Sequence, residues 1–361
     1  MTLIRASMAS AIPDRSKVLN GLETLVIGAA GGLLFLWAEL PGGLISGAMS
    51  AVAIAALMGR PLAVPPVLTQ AVLLLLGISL GSLVSQQLLQ HMSSYPLTIG
   101  LLALATFCST FGSSFYLQHV HGWDQTSAFL AGSPGALSQI TVLAAEKGAD
   151  VAAIAVVQTI RVIILTAALP LVLALSGVTH AAPPPLPTAA ASPPGLAVLI
   201  AASIGVALLL RRVKFPASWM FGAMLASSLL HGAGVVDGGL PPWIRNVALV
   251  GIGALIGSRF ARMKISTLLS HVNAGLGSFV IAILISAIFV AVIAFATHVR
   301  LGDIVVAFAP GAMDAMLALA LTLHIDPIFV GAHHLSRFVF VTITTPGIIH
   351  LFGRPQDDVD D

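Results

Sequence analysis

The chain has 361 residues, of which 57% are hydrophobic and 8% charged, with a formal charge of +2 and a mean hydropathy of +1.01. Soluble domains carry roughly 25% charged residues, and no soluble fold hides this much apolar surface, so the composition places the chain in a membrane. The basic residues gather at segment ends, which is topology information and not a nucleic-acid footprint, and the single cysteine, Cys108, offers neither a disulfide nor a Cys-based metal site.

Arg5, Arg15 and Lys17 precede an apolar run over 18–38, long enough to span a bilayer. Glu39 and Pro41 follow it where a signal peptide would have a small-residue cleavage site, so it reads as a retained signal-anchor helix. Apolar segments follow at 42–57, 67–88, 96–116, 126–145 and 151–176. Residues 177–194 are rich in proline and alanine and form an extended linker. Beyond it come segments at 195–210, 217–230, 244–260, 272–296, 304–323 and 328–349, then a short acidic tail. The expected organisation is a first membrane repeat over 1–176, the linker, and a second membrane repeat over 195–361.

The halves are copies. At a spacing of 176 residues, Pro134, Gly135, Ala136, Asp150, Arg161, Thr166 and Pro170 recur as Pro310, Gly311, Ala312, Asp326, Arg337, Thr342 and Pro346. The same spacing pairs Gly77, Gly81 and Ser82 with Gly253, Gly257 and Ser258; a spacing of 175 pairs Gly47, Ala48 and Met49 with Gly222, Ala223 and Met224. Transporters commonly build their substrate site where two such repeats meet. Basic residues at the N-terminus place it inside, and Arg211, Arg212 and Lys214 after the first segment of repeat two place the linker outside. Repeat one then crosses an odd number of times, which makes one of its six segments re-entrant or non-spanning and the repeats inverted. The alternative is six full crossings per repeat in parallel orientation.

The matched motifs around Pro134 and Pro310 break their segments, because proline removes a backbone N–H and glycine loosens the chain. Broken backbone at membrane depth survives where protein or a wet cavity satisfies it. The half-helix beginning there offers free N–H groups to an anion, so Ser133, Gly135, Ser138, Gln139 and Gly311 are candidate substrate contacts. Arg161 and Arg337 each stand about ten residues into an apolar segment, where a charge needs a partner or a cavity; their planar fork suits a carboxylate or oxyanion. Alternatively, each arginine caps carbonyls of the opposite broken helix, or pairs with Asp314 or Asp303. The repeats differ at Ser138 against Asp314 and Gln158 against His334, so Asp314 and His334 are candidate groups for a coupling proton or sodium ion, although Asp314 equally serves to neutralise Arg337. Asp150 and Asp326 read as helix caps, and Gly77 with Gly81 and Gly253 with Gly257 as close-packing pairs. The histidines lack the spacing with carboxylates that a metal centre wants, and no cofactor or catalytic residue is expected.

The duplicated Pro-Gly-Ala blocks, the Gly-Ala-Met blocks at 47–49 and 222–224 and the two Gly-x-x-x-Gly-Ser segments resemble the AbrB family of bacterial membrane proteins over about residues 20–350. Its members carry labels as ammonia monooxygenases or as regulators. The resemblance implies kinship with cation/proton antiporters and anion transporters: inverted repeats of about five helices, with broken helices that cross at Pro134 and Pro310. The expected fold is therefore an all-α polytopic membrane protein of about 10–12 spanning, short or re-entrant segments. The expected function is secondary active transport of a small anionic organic solute by alternating access, not an enzyme, in the bacterial inner membrane with both termini cytoplasmic. Its partners would be the solute, the bilayer, a coupling proton or sodium ion and a second copy of the chain, with no nucleic acid. A membrane-embedded metal-dependent oxidase and a regulator without transport are the alternatives.

Overall fold

The computed structural model describes residues 15–40, 43–83, 95–134, 137–176, 190–262 and 265–352. Among them are fourteen α-helices: α1 (Arg15–Trp37), α2 (Gly43–Leu57), α3 (Pro66–Gly81), α4 (Tyr95–His121), α5 (Gln125–Gly132), α6 (Leu137–Glu146), α7 (Val151–Leu175), α8 (Pro193–Arg212), α9 (Ser218–Gly232), α10 (Pro242–Ser258), α11 (Ile265–Ala296), α12 (Leu301–Phe308), α13 (Met313–Thr322) and α14 (Pro327–Phe352). Six helices are long and apolar enough to cross a membrane. The chain is an all-α polytopic membrane protein, as its composition requires. The linker at 177–189 lies outside the described residues.

Local chemistry sets the starts of these helices. Proline occupies the first turn of α3, α8 and α10, where its missing N–H costs nothing. Asp124, Asp150 and Ser192 cap α5, α7 and α8 by accepting from Ser127, Ala153 and Gly195 N–H. Asp326 caps α14 by accepting from Ile328 and Phe329 N–H at 2.8 and 3.1 Å, so the capping roles read from sequence are present in both repeats.

The helices form two compact units, and each draws on both sequence repeats. The first contains α1–α3 and α8–α10. Its contacts are glycine-mediated. A Cβ on Gly77 or Gly81 would strike the carbonyl oxygens of Met220 and Met224 on α9, and one on Gly253 or Gly257 would come within 2.5 and 2.6 Å of those of Ile45 and Met49 on α2. Thus the third helix of each half packs on the second helix of the other, at matched residues. Gly47 and Gly222 also serve packing, against Gly31 and Ala207.

The second unit contains α4–α7, α11, α12, α13 up to Ala320, and α14. Helix α11 has 32 residues, about 48 Å at 1.5 Å per residue, against roughly 30 Å of hydrocarbon. It lies along α4, where Ser113 Oγ donates to Ser278 O at 3.2 Å, and meets α7 where Gly275 faces Ile160. Between these long helices sit the short ones. With 8 and 10 residues, α5 and α6 reach only about 12 and 15 Å, so neither crosses. Asp150 N–H, just past α6, donates at 2.9 Å to Ser127 Oγ in the first turn of α5, so the chain enters, turns and returns. The second copy repeats this: Asp326 N–H, past α13, donates at 2.9 Å to Asp303 Oδ1 in the first turn of α12. The breaks expected at Pro134 and Pro310 are present, but the Asp150–Ser127 and Asp326–Asp303 bonds bring the end of each second arm back to the start of the first, so each pair of arms makes a hairpin where crossing broken helices were expected.

Candidate functional site

Each hairpin turns at a proline that forces the preceding residue into extended backbone. Ser133, the C-cap of α5, has φ −70° and ψ 121°; Ala309, the C-cap of α12, has φ −55° and ψ 129°. A helix ending this way leaves its last carbonyls without intrahelical partners, and these tips are buried: Leu130 and Ala131 are 0% exposed, as are Val306 and Ala307. Something inside the protein must donate to them.

The donors are the matched side chains of α7 and α14. Arg161 donates from Nη1 to Gly132 O at 3.4 Å and from Nη2 to Ser133 O at 3.3 Å. Arg337 donates from Nη1 to Ala309 O at 2.7 Å and from Nη2 to Ala307 O at 3.0 Å. One turn earlier, Gln158 Nε2 donates to Leu130 O at 3.0 Å, and His334 Nε2 bonds Val306 O at 3.1 Å. A carbonyl only accepts, so His334 carries its hydrogen on Nε2. The glutamine and histidine, which differ between the repeats in sequence, do the same thing in space. Each arginine ties the hairpin of its own repeat and not the opposite one, and Asp303 pairs with Arg300, at 2.9 and 3.0 Å, and not with Arg337.

Neither guanidinium is used up. Arg161 and Arg337 are 5% and 4% exposed, and the Nε–H of each is buried without a hydrogen-bond partner. The charge of Arg161 is close enough to act on Arg337. Burying two like charges within electrostatic reach of each other is costly, and an unmade hydrogen bond on a charged group adds to the cost. The arrangement gains most from an anion.

Of the other residues expected at the site, Ser133 is buried and contributes its backbone, its N–H going to Phe129 O at 3.0 Å and its carbonyl to Arg161. Gly311 N–H donates to Ala309 O at 2.8 Å, and Met316 folds over its Cα. Asp314, half-buried in the first turn of α13, accepts from Ala315 N–H at 3.1 Å. Gly135 lies outside the described residues, as do the side chains of Ser138 and Gln139. Among the described residues no group of three or more His, Cys, Asp or Glu is placed to hold a metal ion.

The profile described as "Transition state regulatory protein AbrB" matches residues 44–353. The chain belongs to this AbrB family. It is similar to "Uncharacterized protein YhjN" of Bacillus subtilis (strain 168), 27% identical over 307 residues that make up 79% of each chain. It is also similar to "Putative regulator AbrB" of Escherichia coli (strain K12), 24% identical over 323 residues, 87% of this chain and 91% of the relative. The family match spans both hairpins and both arginines of this AbrB chain.

Sequence reasoning missed a second polar group in the same unit: Tyr95, Arg300, Asp303 and Asp326. Its signal was available. Asp303 and Asp326 are 23 residues apart, as are Ser127 and Asp150, and the two pairs stand 176 residues from each other.

Proposed function

We propose that this AbrB-family protein is a secondary carrier of a small organic anion, without a chemical step, working by alternating access in a bacterial inner membrane. The observation that supports this reading is the pair of buried arginines, each holding one hairpin tip and each with an unpartnered Nε–H. A carboxylate or oxyanion accepts from both N–H groups and offsets the mutual repulsion of the guanidinium groups. Because each arginine also holds a tip, an anion drawing on the guanidinium acts on the hairpin as well, which links occupancy to a moving part.

The two hairpins belong to inverted repeats in this reading, with both termini cytoplasmic and the linker outside. Asp314, where repeat one has Ser138, makes repeat two the half that carries a coupling ion in this reading, while His334 and Gln158 hold matched carbonyls in both halves. The topology is tested by Thr188→Cys in a Cys108→Ser background. A membrane-impermeant thiol reagent added outside intact cells is expected to label position 188; labelling only after the cytoplasmic side is opened would place the linker inside.

A second reading, a membrane regulator that binds its anion without moving it, is favoured by the family description and the name of the E. coli relative. Exchange of a bound anion across a sealed vesicle separates the two, since a regulator binds without flux.

A further inference from the structure

The polar group at the base of the second hairpin has no counterpart among the described residues of the first. Asp303 and Asp326 are each 5% exposed, and Asp326 N–H bonds Asp303 Oδ1, which closes the hairpin's open end. Among the described residues one cation faces these two carboxyls, Arg300, and it is engaged by both oxygens of Asp303. From α4, Tyr95 faces them too: its ring packs edge-on against Phe329, 5.4 Å between centroids, its hydroxyl is buried without a partner, and it lies within electrostatic reach of both carboxyls. On α14, His333 bonds Phe329 O at 2.7 Å and Thr98 Oγ1 at 2.8 Å. In the first hairpin, Ser127 stands where Asp303 does and Asp124 where Arg300 does, so that base holds no pair of buried acids.

Two buried carboxyls with one engaged guanidinium cannot both be charged cheaply. Asp303 holds Arg300 with both of its oxygens. Asp326, in the turn before α14 and outside the spanning helices, is left to take the proton. We propose that Asp326 is a proton-binding group of this protein, and that its charge sets whether the base of the second hairpin is closed or loosened; its meaning as a coupling site rests on the transport reading above. A neutral Asp326 sits against Asp303 without repulsion and the base stays closed. An ionised one repels it, at the start of the same helix that carries Arg337 to the hairpin tip. Burial pushes the Asp326 carboxyl up to about 6, with Asp303 adding to the rise and the Phe329 and Ile328 N–H groups and Arg300 opposing it. The neutral form therefore prevails below about pH 6 and the anion above.

Purified protein in lipid nanodiscs, titrated from about pH 4 to 8 with no solute added, tests this by two readouts. Infrared difference spectra are expected to show a protonated-carboxyl band with a midpoint near pH 6 that Asp326→Asn removes. Amide exchange over 301–322, corrected for intrinsic pH dependence, is expected to quicken at the same midpoint in the native chain, to lose that step in Asp326→Asn, and to show no such step over 125–132. Where Asp326→Asn does not fold, Asp303→Asn carries the test: removing the like charge and freeing Arg300 moves the midpoint to lower pH by about 1. A band that survives Asp326→Asn, an exchange step that survives it, or an unmoved midpoint in Asp303→Asn would overturn the proposal. Because neither readout needs a solute, both stand if no anion is ever carried, and both can fail in a working carrier.

Discussion

Arg337→Ala is expected to abolish stabilisation by the anion that the native protein binds, and to lower the stability of the empty protein by on the order of 2 kcal/mol. Its two hydrogen bonds to carbonyls, at 2.7 and 3.0 Å, are worth about 3–6 kcal/mol together, and part of that is returned because a desolvated charge is removed. Arg161→Ala is expected to lose the same anion effect at a smaller structural cost, since its bonds are longer at 3.3 and 3.4 Å. This unequal cost with an equal loss of binding separates a ligand group from a mere hairpin tie. Arg337→Lys keeps the charge but not the fork, and so cannot hold two carbonyls and reach an anion together. Thermal unfolding of the native chain and the three variants, with and without carboxylates and oxyanions, checks all of this. Full anion stabilisation in either alanine variant would remove that arginine from the binding site.

Gly253→Val and Gly257→Val are expected to be among the strongly destabilising single changes in the first unit, by about 3 kcal/mol each, the upper end of the usual overpacking range. The obstacle in each case is a backbone carbonyl, of Ile45 or Met49, which cannot rotate aside, so α10 and α2 must separate. Gly100→Val and Gly205→Val are the controls: nothing lies within 4 Å of a Cβ at either position, and both should melt within about 1 kcal/mol of the native chain. Equal melting of the two pairs would show that the glycine seams do not hold the unit together.

The glycine seams were legible in sequence because their physics is local: small residues four apart invite a close helix. The breaks at Pro134 and Pro310 and the buried arginines were legible for the same reason, since proline and a mid-segment charge each violate a strict rule of the bilayer. What the arginines touch was not. Hydrophobic periodicity cannot tell whether a broken segment goes through or turns back, and that choice decides which carbonyls come within reach of Arg161. The Asp303–Asp326 pair was hidden for a related reason. Asp326 read correctly as a cap, yet its neighbour across the hairpin base follows only from the return of the chain. The assembly of each unit from both repeats was equally out of reach, because repeat spacing records descent and not which helices pack.

Gln158 and His334 carry a further lesson. Their difference in sequence suggested a division of labour, but both bond a matched carbonyl, Leu130 and Val306. Divergence between the hairpins lies instead at their bases, where Ser127 and Asp124 give way to Asp303 and Arg300.

The central claim, that paired buried arginines bind a small anion and pass it across the membrane, is tested most directly by counterflow. The anion that most raises the melting temperature of the native protein is loaded unlabelled into proteoliposomes, and entry of the labelled anion is followed from outside. Transient accumulation in native vesicles, absent with Arg161→Ala or Arg337→Ala, is the predicted result. Binding without accumulation in native vesicles would contradict transport, and accumulation that persists in both variants would contradict the role of the arginines.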